Sequence, residues 1–427
     1  MDQQTDLVDG LSRILTPRQP FGPSNTEAMA HFGPELTDRL FDRTNVIYTQ
    51  AVANEHPTYI IGRKGSGKTA FLGGSLKGRS PGHEILRTEN VYHEMLKVLH
   101  NYTRTHGRLF VDQSADIWTA VLDQVAIFHA WHTAEPSDER RDMQILTDYV
   151  HRDDATPADS THAAEQLLRE LHRRVTASSV DGLRDLITGI SCNGVTFERA
   201  RQAMLDVLQH RDRPVIIVMD NLEDLHLRLH ELTEVLTGLF RCTGRVVARN
   251  ADNRPYGLQI CLPSELYDKV HEIAAAPDKD LQGKYLKIYW TAPELLRLTG
   301  ARLGLLLMAR HPERLEPLRA AAARREEADP DIALLRAALP ERMHSELRIE
   351  EDPLAYMLRH TQLLPRHLIE ILNSVFSRHD SGSVPWAVTP QAVMAGTRYA
   401  ERLLVSGILN AYQASYPDAA AALRKLA

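Results

Sequence analysis

The sequence predicts an α/β protein: a parallel sheet with helices on both faces, a helical insertion, and an all-helical C-terminal region. Three observations carry this. Short apolar runs, each about one strand long, alternate with longer stretches whose apolar residues recur at i, i+3, i+4 and i+7. One run, "PVIIVMD" (214–220), is apolar without a break, as in a strand covered on both faces. From residue 291 onward the helical period takes over.

In chain order, residues 1–50 read as an N-terminal arm. The stretch "LTPRQPFGPSNTEAMAHFGPEL" has the prolines, glycines and polar residues of turns, and a short helix is expected near 34–43. A core follows over 51–290. Its first strand is "TYIIG" (58–62), β-branched and aromatic, and it runs into a glycine-rich turn and then a helix. Residues 80–205 read as a helical insertion, with periodic segments such as "SADIWTAVLDQVAIFHAWH" separated by the polar breaks "AEPSDERRD" and "HRDDATPADS". Three more strands are expected: 214–220, "YGLQICLP" (256–263) and "KYLKIYW" (284–290). Residues 291–427 complete the chain as helices, among them "LPRHLIEILNSVF" and "TPQAVMAGTRYAERLLVSGILNAY".

Composition narrows the class. The chain has 427 residues, 43% hydrophobic and 25% charged, as in ordinary globular proteins. No apolar run approaches the ~18 residues of a membrane span. The opening "MDQQTDLVDGLSRIL" lacks the basic region and apolar core of a secretory signal, and Cys192, Cys242 and Cys261 are widely spaced, so a cytoplasmic protein with reduced thiols is expected. The net charge of −6 speaks against a surface that holds nucleic acid mainly through its phosphates.

The turn after the first strand carries the strongest signal. Gly62-Arg63-Lys64-Gly65-Ser66-Gly67-Lys68-Thr69 matches the pattern G-x-x-x-x-G-K-[ST]. Glycines allow positive φ and let main-chain N–H groups close around a phosphate. The following helix aims its own unpaired N–H groups and positive dipole end at the same anion. Lys68 is placed to reach the β- and γ-phosphates, and the Thr69 hydroxyl to ligate magnesium. Gly62, Gly65, Ser66, Gly67, Lys68, Thr69 and Ala70 are therefore the expected nucleotide contacts of a P-loop NTPase core, with Mg-ATP as the bound species. The guanine-specific N-K-x-D pattern is not evident, which favours ATP over GTP.

A phosphate loop needs a second strand that ends in a carboxylate to hold the magnesium shell. "VIIVMD" supplies Asp220. Hydrolysis also needs a group that orients or deprotonates water. Asn221 follows Asp220 directly, so Glu223 is the first candidate for the base and Asp224 the second; acids here also suit a helix N-terminus.

The strand-D-N-L-E-D spelling resembles the D-G-x-D-E form of the STAND class of P-loop ATPases, within the AAA+ type. That resemblance implies an ATP-dependent switch more than a fast motor. It also implies a helical lid over 291–427 bearing a sensor arginine. "RHTQLLPRHLIEILN" (359–373) is similar to the lid's P-R element, which makes Arg366 that candidate. A sensor residue on the third strand would be Ser264 or Glu265, and neither fits the family's usual asparagine or arginine. Residues 264–284 contain no arginine to serve as a finger, leaving Arg241, Arg245, Arg297 and Arg302 as fallbacks. The whole chain resembles bacterial stand-alone P-loop ATPases, many of which lie in mobile or defence gene clusters.

Thr69 and Asp220 stand 151 positions apart, against the ~60 that two βα units require. The extra length is either a partner- or trigger-binding insertion or a helical buttress. No effector domain is evident, which implies a regulatory ATPase acting with a separate protein partner, as a homo-oligomer or hetero-complex. A nucleic-acid-handling loader or remodeller is the alternative, and a nucleotide-bound scaffold without turnover is a third. The pairs His129/His132 and His226/His230 are more simply coincidences among 20 histidines than metal ligands. Trp118 and Trp131 read as core.

Overall fold

The computed structural model describes residues 2–25, 32, 36, 39–40, 59–71, 83–107, 111–135, 138–151, 156–177, 182–211, 215–220, 229–249, 256–264, 267, 285–377, 388–412 and 416–426. The chain divides into two compact units. One comprises Ala53–Gly62 and Arg79–Lys287; the other comprises Met1–Val52, Arg63–Gly78 and Ile288–Ala427.

The first unit is built on five parallel strands: β1 (Tyr59–Gly62), β2 (His83–Arg87), β3 (Val215–Asp220), β4 (Tyr256–Pro263) and β5 (Tyr285–Lys287). Their order is β2-β3-β4-β1-β5. The most apolar runs take the central places: β1 and β4 are buried along their whole length, and β3 up to Met219. Gly62 pairs with Pro263 and Asp220 with Arg87, so β1 and β3 end on the same edge of the sheet with β4 between them.

Two strand expectations are corrected. "HEILR" falls at the start of the segment read as helical, yet it forms β2. It is an edge strand, with Leu86 buried and Ile85 59% exposed, so it lacks the continuous apolar signal of its neighbours. The strand expected over 284–290 stops at Lys287. Thr291 caps the next helix in a reciprocal capping box with Glu294, which ends the extended segment.

Helices α2 (Thr88–His106), α3 (Val111–His132), α4 (Arg140–Val150), α5 (Ser160–Ala177), α6 (Leu183–Thr188) and α7 (Phe197–Gln209) fill the chain between β2 and β3. α8 (Leu229–Arg249) follows β3. A short hairpin, Ser191–Cys192 with Val195–Thr196, turns through Asn193 and Gly194, both at positive φ. The insertion shares one hydrophobic core with the sheet. α3 is its axis: every residue from Ala120 to Ala130 is buried, and Trp118 donates its indole N–H to Val235 O (2.8 Å) on α8. Asp123 on α3 joins Arg201 on α7 (2.9 Å) and the Tyr256 hydroxyl on β4 (2.8 Å), so a buried carboxylate ties insertion to sheet. Burial pushes the Tyr256 phenol well up, which keeps it the donor in this pair.

The second unit gathers α1 (Asp2–Ile14), residues 63–71 and the C-terminal helices α9 (Ala292–Arg310), α10 (Pro312–Ala322), α11 (Pro330–Ala337), α12 (Pro353–Arg359), α13 (Pro365–Ser377), α14 (Pro390–Tyr412) and α15 (Ala419–Leu426). The region is not wholly helical: Met343–His344 pairs with Glu350–Glu351. The N-terminal segment also differs from a run of turns, because α1 buries Leu11 and Ile14 against α9. The helix expected near 34–43 lies mostly outside the described residues. Beyond α1 the segment is stitched down. Arg302, buried on α9, donates to Phe21 O (2.9 Å) and Leu40 O (3.2 Å), and Asn373 bonds both Phe21 N (2.8 Å) and Gly22 O (2.9 Å). Burial lowers the Arg302 guanidinium to about 10.

No helix among the described residues is long and apolar enough to cross a membrane.

Candidate functional site

The site is built on the loop that leaves β1. β1 lies inside the sheet, between β4 and β5, and its loop starts at the carboxyl ends of the strands, the usual place for a ligand in an open α/β sheet.

Gly62 is buried at the end of β1. Arg63 and Lys64 are exposed, and Ser66 N–H closes the turn on Arg63 O (3.0 Å). Gly65 and Gly67 have φ of +86° and +92°. Residues with a Cβ hold such angles only at a cost of about 1–2 kcal/mol each, so the conformation requires the glycines the sequence supplies. Between and after them Ser66 is 1% and Lys68 4% exposed. The Lys68 ammonium donates to Arg63 O (3.2 Å), curling back over its own loop. The Ser66 hydroxyl is buried and has no partner among the described residues, a cost the fold would not normally carry. Phe71 N–H closes the first turn of the following helix on Gly67 O (2.7 Å), and the amides of a first turn lie outside the helical ladder. Thr69 is exposed and Ala70 partly buried. A buried ammonium, an unpaired hydroxyl and a turn that needs two glycines together suit a bound anion.

Arg366 comes to this loop. It is the second residue of α13, and its side chain lies on Gly65: a methyl group there would stand 3.2 Å from Arg366 Cβ and 3.4 Å from Cδ. Its Nε is buried without a partner among the described residues. A cation at a helix N-terminus is electrostatically misplaced unless an anion is near. The structure thus brings together residues 63–70 and Arg366, far apart in sequence.

His367, next to Arg366, is 6% exposed and accepts the Gln362 N–H at Nδ1 (3.4 Å). Burial first, and then the Arg366 charge, lowers its pKa to about 4. An unfolded histidine protonates near 6.5, so between about pH 6.5 and 4 the unfolded chain binds a proton the folded chain refuses. Stability therefore rises with pH through this window and falls on acidification. The expected loss from pH 7 to 4 at this group is roughly 3 kcal/mol. Measured by chemical denaturation across that range, His367→Asn should show a shallower acid dependence than the wild type.

Asp220 is half-buried at the end of β3, where its carbonyl accepts from the Thr88 hydroxyl (2.8 Å). Asn221, Glu223, Asp224, Glu265 and His226 lie outside the described residues. Ser264 is half-buried after β4. The fallback arginines are engaged within the chain: Arg241 and Arg245 with Asp112, Arg297 with Asp329 (2.6 Å), and Arg302 with the main-chain carbonyls above. The histidine pair separates: His129 bonds Glu84 (2.8 Å) on β2, and His132 stacks on Phe128. Among the described residues no three His, Cys, Asp or Glu side chains gather as a metal site.

One residue at the loop has no signal in the sequence. Trp290, just after β5, donates its indole N–H to Ser66 O (2.8 Å). Read along the chain it is only the last apolar residue of "KYLKIYW", because its partner lies 224 positions away.

Compared with protein-family models, curated proteins and solved structures, the chain matches none.

Proposed function

We propose that this chain binds Mg-ATP on residues 62–70 and hydrolyses it slowly, as a regulatory switch or assembly subunit that works with a separate protein partner, in a defence setting. One observation carries the reading: Gly65 and Gly67 at positive φ alternate with buried Ser66 and Lys68 immediately after a strand of a parallel sheet. Under this reading the loop amides and Lys68 bind the β- and γ-phosphates, and Arg366 answers the γ-phosphate. Magnesium would be held by the Thr69 hydroxyl and the Asp220 carboxylate, oxygen donors that suit a hard cation. When bound it neutralises charge on the phosphate oxygens. Asp220 helps to hold the metal, and Glu223 orients or deprotonates the attacking water. The engagement of the candidate finger arginines within their own chain supports slow turnover or activation by a partner.

The test is phosphate release by the purified full chain, with mass followed by light scattering, with and without DNA. Slow turnover indifferent to DNA, with a mass that changes on adding ATP, is expected. Glu223→Gln should keep nucleotide binding and lower turnover by roughly 10²–10⁴-fold. Stimulation by DNA, with salt-sensitive binding, would instead favour the loader or remodeller. Unchanged function in Glu223→Gln together with its loss in Lys68→Ala would leave a nucleotide-bound scaffold.

A further inference from the structure

The glycines that let this loop wrap an anion also leave it free to turn its peptides over. Rotating the Ser66–Gly67 peptide exchanges the directions of its N–H and C=O by changing ψ of Ser66 and φ of Gly67. Glycine populates both signs of φ about equally, so the flip is cheap. Something must select one orientation, and among the described residues Trp290 hydrogen-bonds this peptide.

Its indole N–H donates to Ser66 O at 2.8 Å. Indole is a donor only, so it recognises the carbonyl and cannot accept the N–H that a flipped peptide would present. A trans peptide is planar, with C=O and N–H pointing oppositely. Holding Ser66 O toward the indole therefore points the Gly67 N–H away from it. Gly67 N–H donates to no protein group among the described residues, and a methyl group built on Gly67 would meet no atom within 4 Å. The peptide's donor thus points away from the indole and is left without a protein acceptor among the described residues.

Trp290 is itself well fixed. Its ring packs on the core of the C-terminal helices. The next residue, Thr291, is the N-cap of α9, with its N–H on Glu294 Oε2 (2.8 Å) and its hydroxyl on the same oxygen (2.7 Å).

We propose that Trp290 is a positioning residue: it holds the Ser66–Gly67 peptide in the orientation that offers the Gly67 N–H to a phosphate. This rests on the phosphate-loop reading above. It adds a donor from the start of α9 as the element that keeps the loop in its binding form.

The test uses the full chain with Trp290→Phe, which keeps an aromatic ring and removes the N–H. A second variant carries 3-benzothienylalanine at 290, which keeps the bicyclic shape without the N–H and covers the case in which phenylalanine packs badly. Two quantities are read: amide hydrogen exchange over residues 63–71 without nucleotide, and affinity for ADP by calorimetry. Faster exchange in the loop and ADP binding weaker by roughly tenfold are expected in both variants. The thermal midpoint without nucleotide should fall by no more than ~2–4 °C, the share of one hydrogen bond. Wild-type affinity in both variants would overturn the proposal, whatever the exchange shows. If wild-type protein binds no ADP, the phosphate reading fails on its own, and unchanged exchange would then also remove Trp290 as the holder of the loop peptide.

Discussion

Lys68→Ala is expected to abolish useful nucleotide binding while leaving the fold intact. Lys68 is 4% exposed and its ammonium donates to Arg63 O of its own loop (3.2 Å). Toward a phosphate the loss is large. Removing one partner of a desolvated charge pair costs about 2–5 kcal/mol, or roughly 30- to several-thousand-fold in affinity. The measurement is the shift of thermal midpoint on adding Mg-ATP, since a ligand stabilises only the state that binds it. The wild type should shift and Lys68→Ala should not, with similar midpoints in the absence of nucleotide. Lys64→Ala is the control. Lys64 is exposed at the tip of the turn, and its loss should weaken binding less than ~10-fold.

Gly300→Ala is expected to have the largest effect on stability. Gly300 lies where α9 meets the first turn of α11, and a methyl group there would stand 2.1 Å from Asp331 O and 2.5 Å from Asp331 C. The obstacle is main chain, so no rotamer change relieves it and the two helices must part. Overpacking costs about 1–3 kcal/mol and sometimes more. A main-chain collision belongs at the upper end, offset by the ~1 kcal/mol that alanine gains over glycine in a helix. One turn along, a methyl group on Gly304 would meet only Leu334 Cδ2 at 3.6 Å. Gly304→Ala should therefore stabilise by up to ~1 kcal/mol. Opposite shifts in denaturation midpoint from two glycines in one helix would separate contact from propensity.

The parts of this protein legible in its sequence are those whose cause is local. β1, β3 and β4 are short, mostly apolar runs and end within a residue of where the pattern places them. Most C-terminal helices follow their period closely, and the glycine spacing of the loop dictates the positive φ that Gly65 and Gly67 adopt. What escaped depends on distant partners. β2 is an edge strand with Leu86 buried and Ile85 exposed, too weak an alternation to stand out beside helices. α1 is marked by Leu11, Ile14 and Leu15 at helical spacing, but the proline- and glycine-rich stretch after it dominates the composition. The burial of Arg302 under the carbonyls of Phe21 and Leu40 is invisible in a sequence where arginine ordinarily reads as surface. At the site, the loop and Arg366 are motif-borne, whereas Trp290 becomes meaningful only when the fold carries it to Ser66.

The central claim is that residues 62–70 recognise a nucleotide through its β- and γ-phosphates, and it is tested most directly by calorimetric titration of the wild-type chain with ATP, ADP and AMP in the presence of magnesium. One site per chain, filled by ATP and ADP and at least ~100-fold weaker for AMP, is the expected result, because AMP lacks the phosphates that Lys68 and the loop amides would hold. Absence of binding, or AMP binding as tightly as ADP, would contradict it.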